Sequence, residues 1–526
     1  MRRVPVLSGG LVLAAVASLA LGCTSAVSNT AKHGPVGVVP AGLERFYGQS
    51  LSWSACSSFG TTPRDTKAYA DPGLQCTSLI VPLDYNNPNG QEITIGLLRR
   101  PASDPGHRIG SLLINPGGPG ASGMSTAASL ADDVKNNDLG RRFDFVGFDP
   151  RGVGSSKPRV VCRTAQERDV ERVMNLNVDT SLVGVERTEA QEKADDAGCV
   201  NRTGKEVLAN IGTREVVRDM DVMRSALGDE KLTYLGYSYG TKIGASYAES
   251  FPKNVRAMIL DGAVDPAQDP NSQLLEQGRG FQKAFDAFAA WCVGRADCAV
   301  GQDKGQAVRK FQALVSPLIN QPLAVPDGRK VSYTDATTGV VQALYLSDLW
   351  PTLNRGLQEL TRGHGDILMN LADIYNGRSA DGSYSTEMDV FQAVLCVDNP
   401  PTTDRNVARE VDAQYRKLAP FLDTGLAPSS ALDNCGFWPV PPTGRPHHPQ
   451  TPGLPTVMVI STTQDPATPY QAGVNLAKDI NARLLTFEGT QHTVFLQGNS
   501  CVDQVGVRYL AILQLPAEGT RCKADS

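Results

Sequence analysis

The chain has 526 residues, of which 41% are hydrophobic and 20% charged, a balance typical of globular proteins that bury a large core. The formal net charge of −5 and the lack of basic clusters argue against a nucleic-acid-binding protein. No run beyond the first segment is apolar enough to span a bilayer, which argues against a protein with several membrane spans.

The amino terminus has the pattern of an export signal. A basic start followed by an apolar run predicts a signal peptide over residues 1–22. The ending Ala20-Leu-Gly-Cys23 is similar to a bacterial lipobox, although leucine usually stands in the place of Ala20. We expect Cys23 to carry lipid such as palmitate and to anchor the protein to the cell membrane through a tether over 23–45. Ordinary cleavage near Ala26, which would give a secreted protein, is the alternative.

The cysteines support export. Ten of the 11 remain when Cys23 is set aside, and an even number in an exported protein indicates disulfide bonds. No C-x-x-C pair and no Cys/His cluster is present, so we expect no metal site, and we expect no cofactor. Sequence does not determine which cysteines pair, but pairing of near neighbours would join Cys56 to Cys76, Cys162 to Cys199, Cys292 to Cys298, Cys396 to Cys435 and Cys501 to Cys522.

Short apolar runs and helical patterns alternate along most of the chain. The first part predicts strands over Thr77–Pro82, Glu92–Leu98, Ser111–Ile114 and Phe143–Phe148, a helix over Thr213–Leu227, and strands over Leu232–Leu235 and Ala257–Leu260. The last part predicts strands over Thr456–Ser461 and Arg483–Thr486 and a closing helix over Gln504–Leu513. This alternation predicts an α/β fold whose mostly parallel sheet has helices on both faces.

The middle of the chain interrupts this alternation. From Asp265-Pro266 to about Pro455 it reads as helices and loops, including amphipathic stretches over 274–293 and 307–318. We therefore predict a core made of residues 46–265 and 456–526. Residues 266–455, called the lid segment below, form a large and mainly helical insertion, and a smaller insertion lies at about 155–210.

The run Gly236-Tyr-Ser238-Tyr-Gly240 lies between a predicted strand and a predicted helix. A serine between glycines at such a junction is the pattern of a nucleophile elbow, in which a strained turn pushes the hydroxyl out of the sheet. A glycine-rich turn with an inert serine is the alternative. We predict that Ser238 is a catalytic nucleophile.

A serine nucleophile needs a base, and the base needs an orienting acid. Of the six histidines, only His492 follows a late strand, the place of the base in chains that order their triad Ser, acid, His. Asp465 ends the preceding strand region, 27 residues before His492, and is our predicted acid. Asp261, at the end of an earlier strand, is the competing candidate.

Acyl transfer also needs hydrogen-bond donors for the oxyanion that forms in the transition state. The run Asn115-Pro-Gly-Gly-Pro-Gly120 follows a strand at the position where such donors are built, and we assign them to the amides of Gly118 and Tyr239. A tight turn is the alternative, and a phosphate loop lacks its lysine here. We expect Asp149 and Arg151, after the next strand, to brace this loop.

These motifs, together with Asp465-Pro-Ala-Thr-Pro469, resemble the tripeptidyl aminopeptidase branch of the α/β hydrolases, and in particular its exported actinobacterial members. The resemblance spans nearly the whole mature chain. It implies a Ser238–Asp465–His492 triad and release of short peptides from a free amino terminus. The related proline iminopeptidases usually have histidine in place of Pro116 and bind the substrate ammonium through lid carboxylates, none of which can be matched from the sequence.

We therefore expect an exported serine hydrolase that acts on a peptide or ester substrate through an acyl-enzyme. An exopeptidase is the leading prediction. A carboxylesterase acting on short-acyl or envelope lipid esters, and acyl transfer to an acceptor other than water, need the same triad. A non-catalytic binding protein on the same fold is the alternative of another class, and it would commonly lack a triad member.

Overall fold

The computed structural model describes residues 35–176 and 178–524. The predicted signal peptide and Cys23 lie outside the described residues. The described strands are β1 (Gln75–Pro82), β2 (Glu92–Arg100), β3 (Gly110–Asn115), β4 (Phe143–Phe148), β5 (Leu232–Tyr237), β6 (Val255–Asp261), β7 (Leu323–Ala324), β8 (Lys330–Val331), β9 (Met458–Thr462), β10 (Arg483–Glu488) and β11 (Arg521–Lys523).

Nine of these strands form one sheet in the order β1-β2-β4-β3-β5-β6-β9-β10-β11. The β1–β2 and β2–β4 pairs are antiparallel and the remaining pairs are parallel. Every residue of β3, β4 and β5 is buried, as expected for central strands covered on both faces. This arrangement confirms the predicted α/β fold.

Helices cover both faces of the sheet and fill the two predicted insertions. They are α1 (Glu44–Tyr47), α2 (Pro63–Ala68), α3 (Gly123–Val134), α4 (Asp138–Arg142), α5 (Ala165–Arg172), α6 (Leu182–Thr203), α7 (Lys205–Ala209), α8 (Thr213–Ala226), α9 (Tyr239–Ser250), α10 (Pro270–Val293), α11 (Ala307–Val315), α12 (Tyr333–Leu344), α13 (Trp350–Thr361), α14 (Asp366–Tyr375), α15 (Glu387–Asp398), α16 (Arg405–Leu418), α17 (Tyr470–Asp479) and α18 (Ser500–Ile512). Two apolar clusters, one on each face, bury the sheet.

The lid segment contains helices α10 to α16 and supplies the buried residues of a third apolar cluster, except Val178 and Ala467. Phe285 lies near its centre, stacked on Phe421 with ring centroids 4.9 Å apart. The segment leaves the sheet after β6 and returns at β9, which is the neighbour of β6 in the sheet.

The sequence prediction missed strands β7 and β8 of the lid segment, and some elements of the core also differ from it. Strand β11 was not predicted, since its three residues carry two exposed charged side chains around the buried Cys522. Helix α18 begins at Ser500, four residues before the predicted start, because the Asn499 side chain accepts a hydrogen bond from the Val502 amide and caps the helix.

Five disulfides join the ten described cysteines in the pairs expected from near-neighbour pairing. Disulfides are typical of proteins that work outside the reducing cytoplasm, so these bonds are consistent with an exported protein. Within residues 35–176 and 178–524 no helix has the length and apolar character needed to cross a membrane.

Candidate active site

Ser238 lies at the sharp turn between β5 and α9. Its φ of 53° and ψ of −124° are strained for a residue with a side chain, as expected for a nucleophile elbow. Its amide donates to the Asp261 carbonyl at the end of the neighbouring β6, 2.9 Å away. A Cβ on Gly236 would clash with the Gly240 carbonyl, so the strand and helix cross too closely for a larger residue there.

The glycine-rich loop after β3 lies directly against this turn. A Cβ added to Gly117, whose φ is +93°, would lie 2.5 Å from the Tyr237 carbonyl oxygen and 2.8 Å from the Tyr239 nitrogen. The Gly117 amide donates to Asn115 Oδ1 at 2.9 Å. The next amide, that of Gly118, donates to no acceptor among the described residues. As the first residue of α9, Tyr239 has an amide with no acceptor inside the helix.

His492 and Asp465 form a close pair at the same edge of the sheet. The imidazole Nδ1 lies 2.9 Å from Asp465 Oδ1 and 3.0 Å from Oδ2, and the Asp465 side chain is fully buried. Asp465 also accepts hydrogen bonds from the Thr468 amide at 2.8 Å and the Thr468 hydroxyl at 3.0 Å. The His492 ring packs against the turn after Asp261, where a Cβ on Gly262 would lie 3.2 Å from Cε1.

Asp261, the competing acid, holds a different part of the same loop. Its Oδ2 accepts the amides of Val494 at 2.8 Å and Phe495 at 2.7 Å, while no described group donates to its Oδ1. Burial raises the pKa of Asp261 to about 7, against the opposing effect of the two amides. Asp261 thus fixes the backbone just after His492 and makes no hydrogen bond to the imidazole among those of the described residues.

The charge balance around His492 favours its protonated form. Burial alone would lower the pKa of the imidazole, but the charge and hydrogen bond of Asp465, with a smaller contribution from Asp261, raise the pKa above its ordinary value. An imidazole oriented by a carboxylate through Nδ1 presents Nε2 for proton transfer. The arrangement can therefore take a proton from a nucleophile and stabilise the resulting imidazolium.

Two residues of the lid segment contact the site. Tyr345 accepts the His492 amide through the backbone carbonyl at 2.9 Å, and the two rings meet edge to face with centroids 5.5 Å apart. Glu387, the first residue of α15, packs its carbonyl on Gly120 of the glycine-rich loop. Lid residues thus contact both the predicted base and the predicted oxyanion loop.

Glu387 also carries an unpaired carboxylate. Its side chain is partly buried, and it makes no hydrogen bond or ion pair with any residue that the structure describes. Burial raises its pKa to about 7. Burial and then the charge of Glu387 raise the pKa of Tyr375. The pKa of Tyr345 is raised by burial and then by Tyr375, Asp465 and Glu387. The Glu387 carboxylate therefore acts on two tyrosines, one of which contacts His492. Sequence reasoning missed Glu387, because no motif surrounds it.

A buried network ties the far end of α15 to the elbow. Asp398 Oδ2 accepts the Tyr239 hydroxyl at 2.9 Å, and Asp398 Oδ1 accepts the Thr213 amide at 2.8 Å. The Thr213 hydroxyl also contacts both Tyr239 and Asp398. The same helix therefore holds the side chain of the residue after Ser238 and presents Glu387 at its other end.

The two residues expected to brace the glycine-rich loop have separate roles. Asp149 accepts the Ser122 hydroxyl at 2.5 Å and the Met124 amide at 3.2 Å, so it holds the chain directly after the loop. Arg151 instead pairs with Asp219 at 2.6 Å and donates to the Leu83 carbonyl, which ties α8 to the end of β1. The expectation for Arg151 was wrong, because its long side chain points away from the loop into this buried pair.

Fold and site together define a serine hydrolase. The chain belongs to the family described as alpha/beta hydrolase fold, whose model matches residues 110–499.

Curated relatives cover nearly the whole chain. It is 44% identical over 518 residues to "Serine protease Hip1" of Mycobacterium tuberculosis, covering 97% of this chain and 96% of the relative. It is 45% identical over 474 residues to "Carboxylesterase B" of the same organism, covering 90% and 89%. It is 29% identical over 494 residues to "Tripeptidyl aminopeptidase" of Streptomyces lividans, covering 90% and 86%.

Proposed function

We propose that Ser238 is the nucleophile, His492 its general base and Asp465 the acid that orients His492. Ser238 attacks the carbonyl carbon of the substrate while His492 accepts the hydroxyl proton and then donates it to the leaving group. The acyl group stays on Ser238 until water, activated by the same imidazole, releases it. The amides of Gly118 and Tyr239 donate to the oxyanion in both steps. The observation that carries this proposal is the Asp465–His492 pair, which lies at the same edge of the sheet as the strained turn of Ser238.

We propose further that the substrate is a peptide with a free amino terminus. The supporting observation is Glu387, a partly buried carboxylate that has no cationic partner among the described residues. Leaving a buried carboxylate unpaired is unfavourable, and a bound ammonium would relieve that cost. The charge of Glu387 also raises the pKa of Tyr345 and Tyr375, after burial as the larger cause, so two aromatic side chains lie within electrostatic reach of it.

The position of Glu387 limits how much peptide fits before the scissile bond. Its helix starts on the glycine-rich loop that holds the proposed oxyanion donor Gly118, and on this basis we infer that the carboxylate lies a short peptide's length from the reacting carbonyl. An ammonium bound there leaves room for a short amino-terminal segment, so cleavage would release short peptides from the chain end. A relative named tripeptidyl aminopeptidase accords with this proposal.

An esterase is the second candidate, because a relative is named carboxylesterase and the same triad hydrolyses esters. An ester substrate without a cation gives Glu387 no partner. The two candidates therefore differ in what they require of Glu387.

Glu387→Gln tests the substrate proposal. The variant keeps the size of the side chain but loses its charge, so KM for a tripeptidyl reporter with a free amino terminus should rise about 30-fold, as expected when about 2 kcal/mol of a desolvated charge pair is lost. The measurement is steady-state hydrolysis of the free reporter and of its N-acetylated form by parent and variant.

The acetylated reporter is the internal control. The parent should cleave it poorly, and Glu387→Gln should not weaken its binding further. Glu410→Gln, which removes an exposed charge from α16 of the lid segment, should behave like the parent. Equal turnover of free and acetylated peptides by the parent, or turnover of short-acyl esters only, would favour the esterase.

We also propose that the protein is a lipoprotein of the cell envelope, anchored through Cys23. The supporting observations are the sequence around Cys23 and the five disulfides of the folded body. A single acyl chain binds a membrane weakly, and two or more hold it stably.

Cys23→Ser tests the anchor. Expressed in an actinobacterial host fed labelled palmitate, the parent should carry label and sediment with membranes. The variant should carry none and should shift to the soluble or medium fraction. Equal labelling of parent and variant contradicts the assignment, and an unlabelled parent that is found in the medium points to cleavage near Ala26.

A further inference from the structure

A basic cavity lies at the amino-terminal edge of the sheet, opposite the candidate active site. It has a volume of about 580 Å³ and is lined in part by Lys231, Lys253, Arg256 and Leu513. Lys231 precedes β5 directly, whereas Ser238 follows the same strand, so the length of β5 separates the two ends. This end of the molecule is called the basic pole below.

No carboxylate lines the cavity of the basic pole. Lys231 and Lys253 are exposed, and neither forms an ion pair with a described residue. Arg256 donates to the Leu510 carbonyl at 2.8 Å, and burial and then the nearby charge of Arg142 lower its pKa. Three positive side chains therefore line this cavity, in a protein whose net charge is negative.

Exposed apolar side chains accompany the charges. Leu513 borders the cavity at the end of α18, with half of its surface exposed, and the preceding Ile512 is 58% exposed. Large apolar side chains next to basic ones are typical of surfaces that contact a lipid headgroup region.

The described chain enters the fold at this pole. One guanidinium nitrogen of Arg224 donates to the Val36 carbonyl at 3.1 Å and to the Glu230 carbonyl at 3.2 Å. Val36 is thus held beside the residue that precedes Lys231. Pro35 lies twelve positions after Cys23, and a chain of that length spans at most about 40 Å when extended.

We propose that the basic pole is a docking surface for an anionic lipid membrane. Lys231, Lys253 and Arg256 attract the headgroups, and Ile512 and Leu513 contact the region beneath them. A lipid on Cys23 would reach the same membrane, because the chain emerges beside Lys231. In this orientation Ser238, at the other end of β5, faces away from the membrane, toward substrates in the surrounding space.

The test measures vesicle binding without the acyl chain. The full chain carrying Cys23→Ser is mixed with phosphatidylcholine vesicles with or without phosphatidylglycerol, and bound protein is measured by sedimentation. We expect binding only to the phosphatidylglycerol vesicles, with loss at about 1 M salt, where the screening length is about 3 Å. Adding Lys231→Glu and Lys253→Glu should reduce the partition coefficient at least tenfold.

A control double variant distinguishes the effect of where the charges lie from the effect of the change in net charge. Lys304→Glu with Lys417→Glu changes the net charge equally on exposed parts of the lid segment and should bind as the parent does. All variants should hydrolyse a small ester reporter at the parent rate. If the glutamate pair at the pole does not fold, Lys231→Gln with Lys253→Gln replaces it, with a smaller loss in the same direction.

Three results would overturn the proposal: no binding by the parent, equal binding to both vesicle types, or equal loss from the pole and lid pairs. None of them bears on the peptidase proposal, which rests on a different end of the molecule.

Discussion

Ser238→Ala is expected to abolish turnover of every substrate, with a fall in kcat of about 10⁶-fold. Without the hydroxyl no acyl-enzyme forms, and only the slow attack of water within the oxyanion site remains. The measurements are reporter hydrolysis and covalent labelling by a fluorophosphonate probe, which reacts with the activated serine. Labelling should disappear together with activity.

The variant should fold like the parent, so the loss can be assigned to chemistry. Serine and alanine both carry a Cβ, and both therefore accept the strain of a positive φ at this turn at a similar cost. The matched control is Ser246→Ala, on the same helix α9, which should keep both labelling and activity. Persistent labelling of Ser238→Ala at an unchanged melting temperature would show that another residue is the nucleophile.

The sequence predicts those parts of the molecule that depend on local pattern. Central strands such as β3 and β5 are buried along their whole length, so each reads as a short apolar run between turns. Parallel neighbours end at the same edge of a sheet, so residues after β9 and β10 meet there although Asp465 and His492 lie 27 positions apart in the chain. The strained serine is likewise foreseeable, because the flanking glycines mark the turn.

Other parts depend on contacts between distant segments that have no local pattern. Glu387 begins an ordinary-looking helix, and only the packing of that helix on Gly120 brings its carboxylate to the site. Arg151 follows a strand at the site edge, yet it is drawn to Asp219, 68 residues later in the chain. The apolar cluster of the lid segment also forms between helices whose order in sequence does not reveal their packing.

The sequence favoured Asp465 over Asp261 as the acid but did not reveal what Asp261 does, since both residues lie at the carboxyl ends of strands at the same edge of the sheet. The two carboxylates differ in the groups that they contact. Asp465 contacts the imidazole Nδ1 at 2.9 Å, whereas Asp261 turns one oxygen to the amides of Val494 and Phe495. Asp465 thus orients the ring of His492, and Asp261 fixes the backbone that follows it.

Asp465→Asn is expected to lower kcat by about 10⁴-fold, the loss typical when the acid of such a triad becomes an amide. The amide no longer stabilises the imidazolium, and it favours the wrong tautomer of His492. Asp261→Asn keeps an oxygen that can accept the two loop amides, so we expect its activity to stay within about tenfold of the parent. The measurement is kcat on one reporter for the parent and both variants at equal folded fraction.

The pH profile gives an independent readout of the same assignment. His492 acts as a base only when neutral, so kcat/KM should rise with pH through its pKa, which in the parent lies above the ordinary value because of Asp465. Removing that negative charge lowers the pKa, so the rising limb of Asp465→Asn should move to lower pH even as its plateau falls. If Asp261→Asn produced the larger fall and the larger shift, Asp261 would be the orienting acid and Asp465 a residue that shapes the loop.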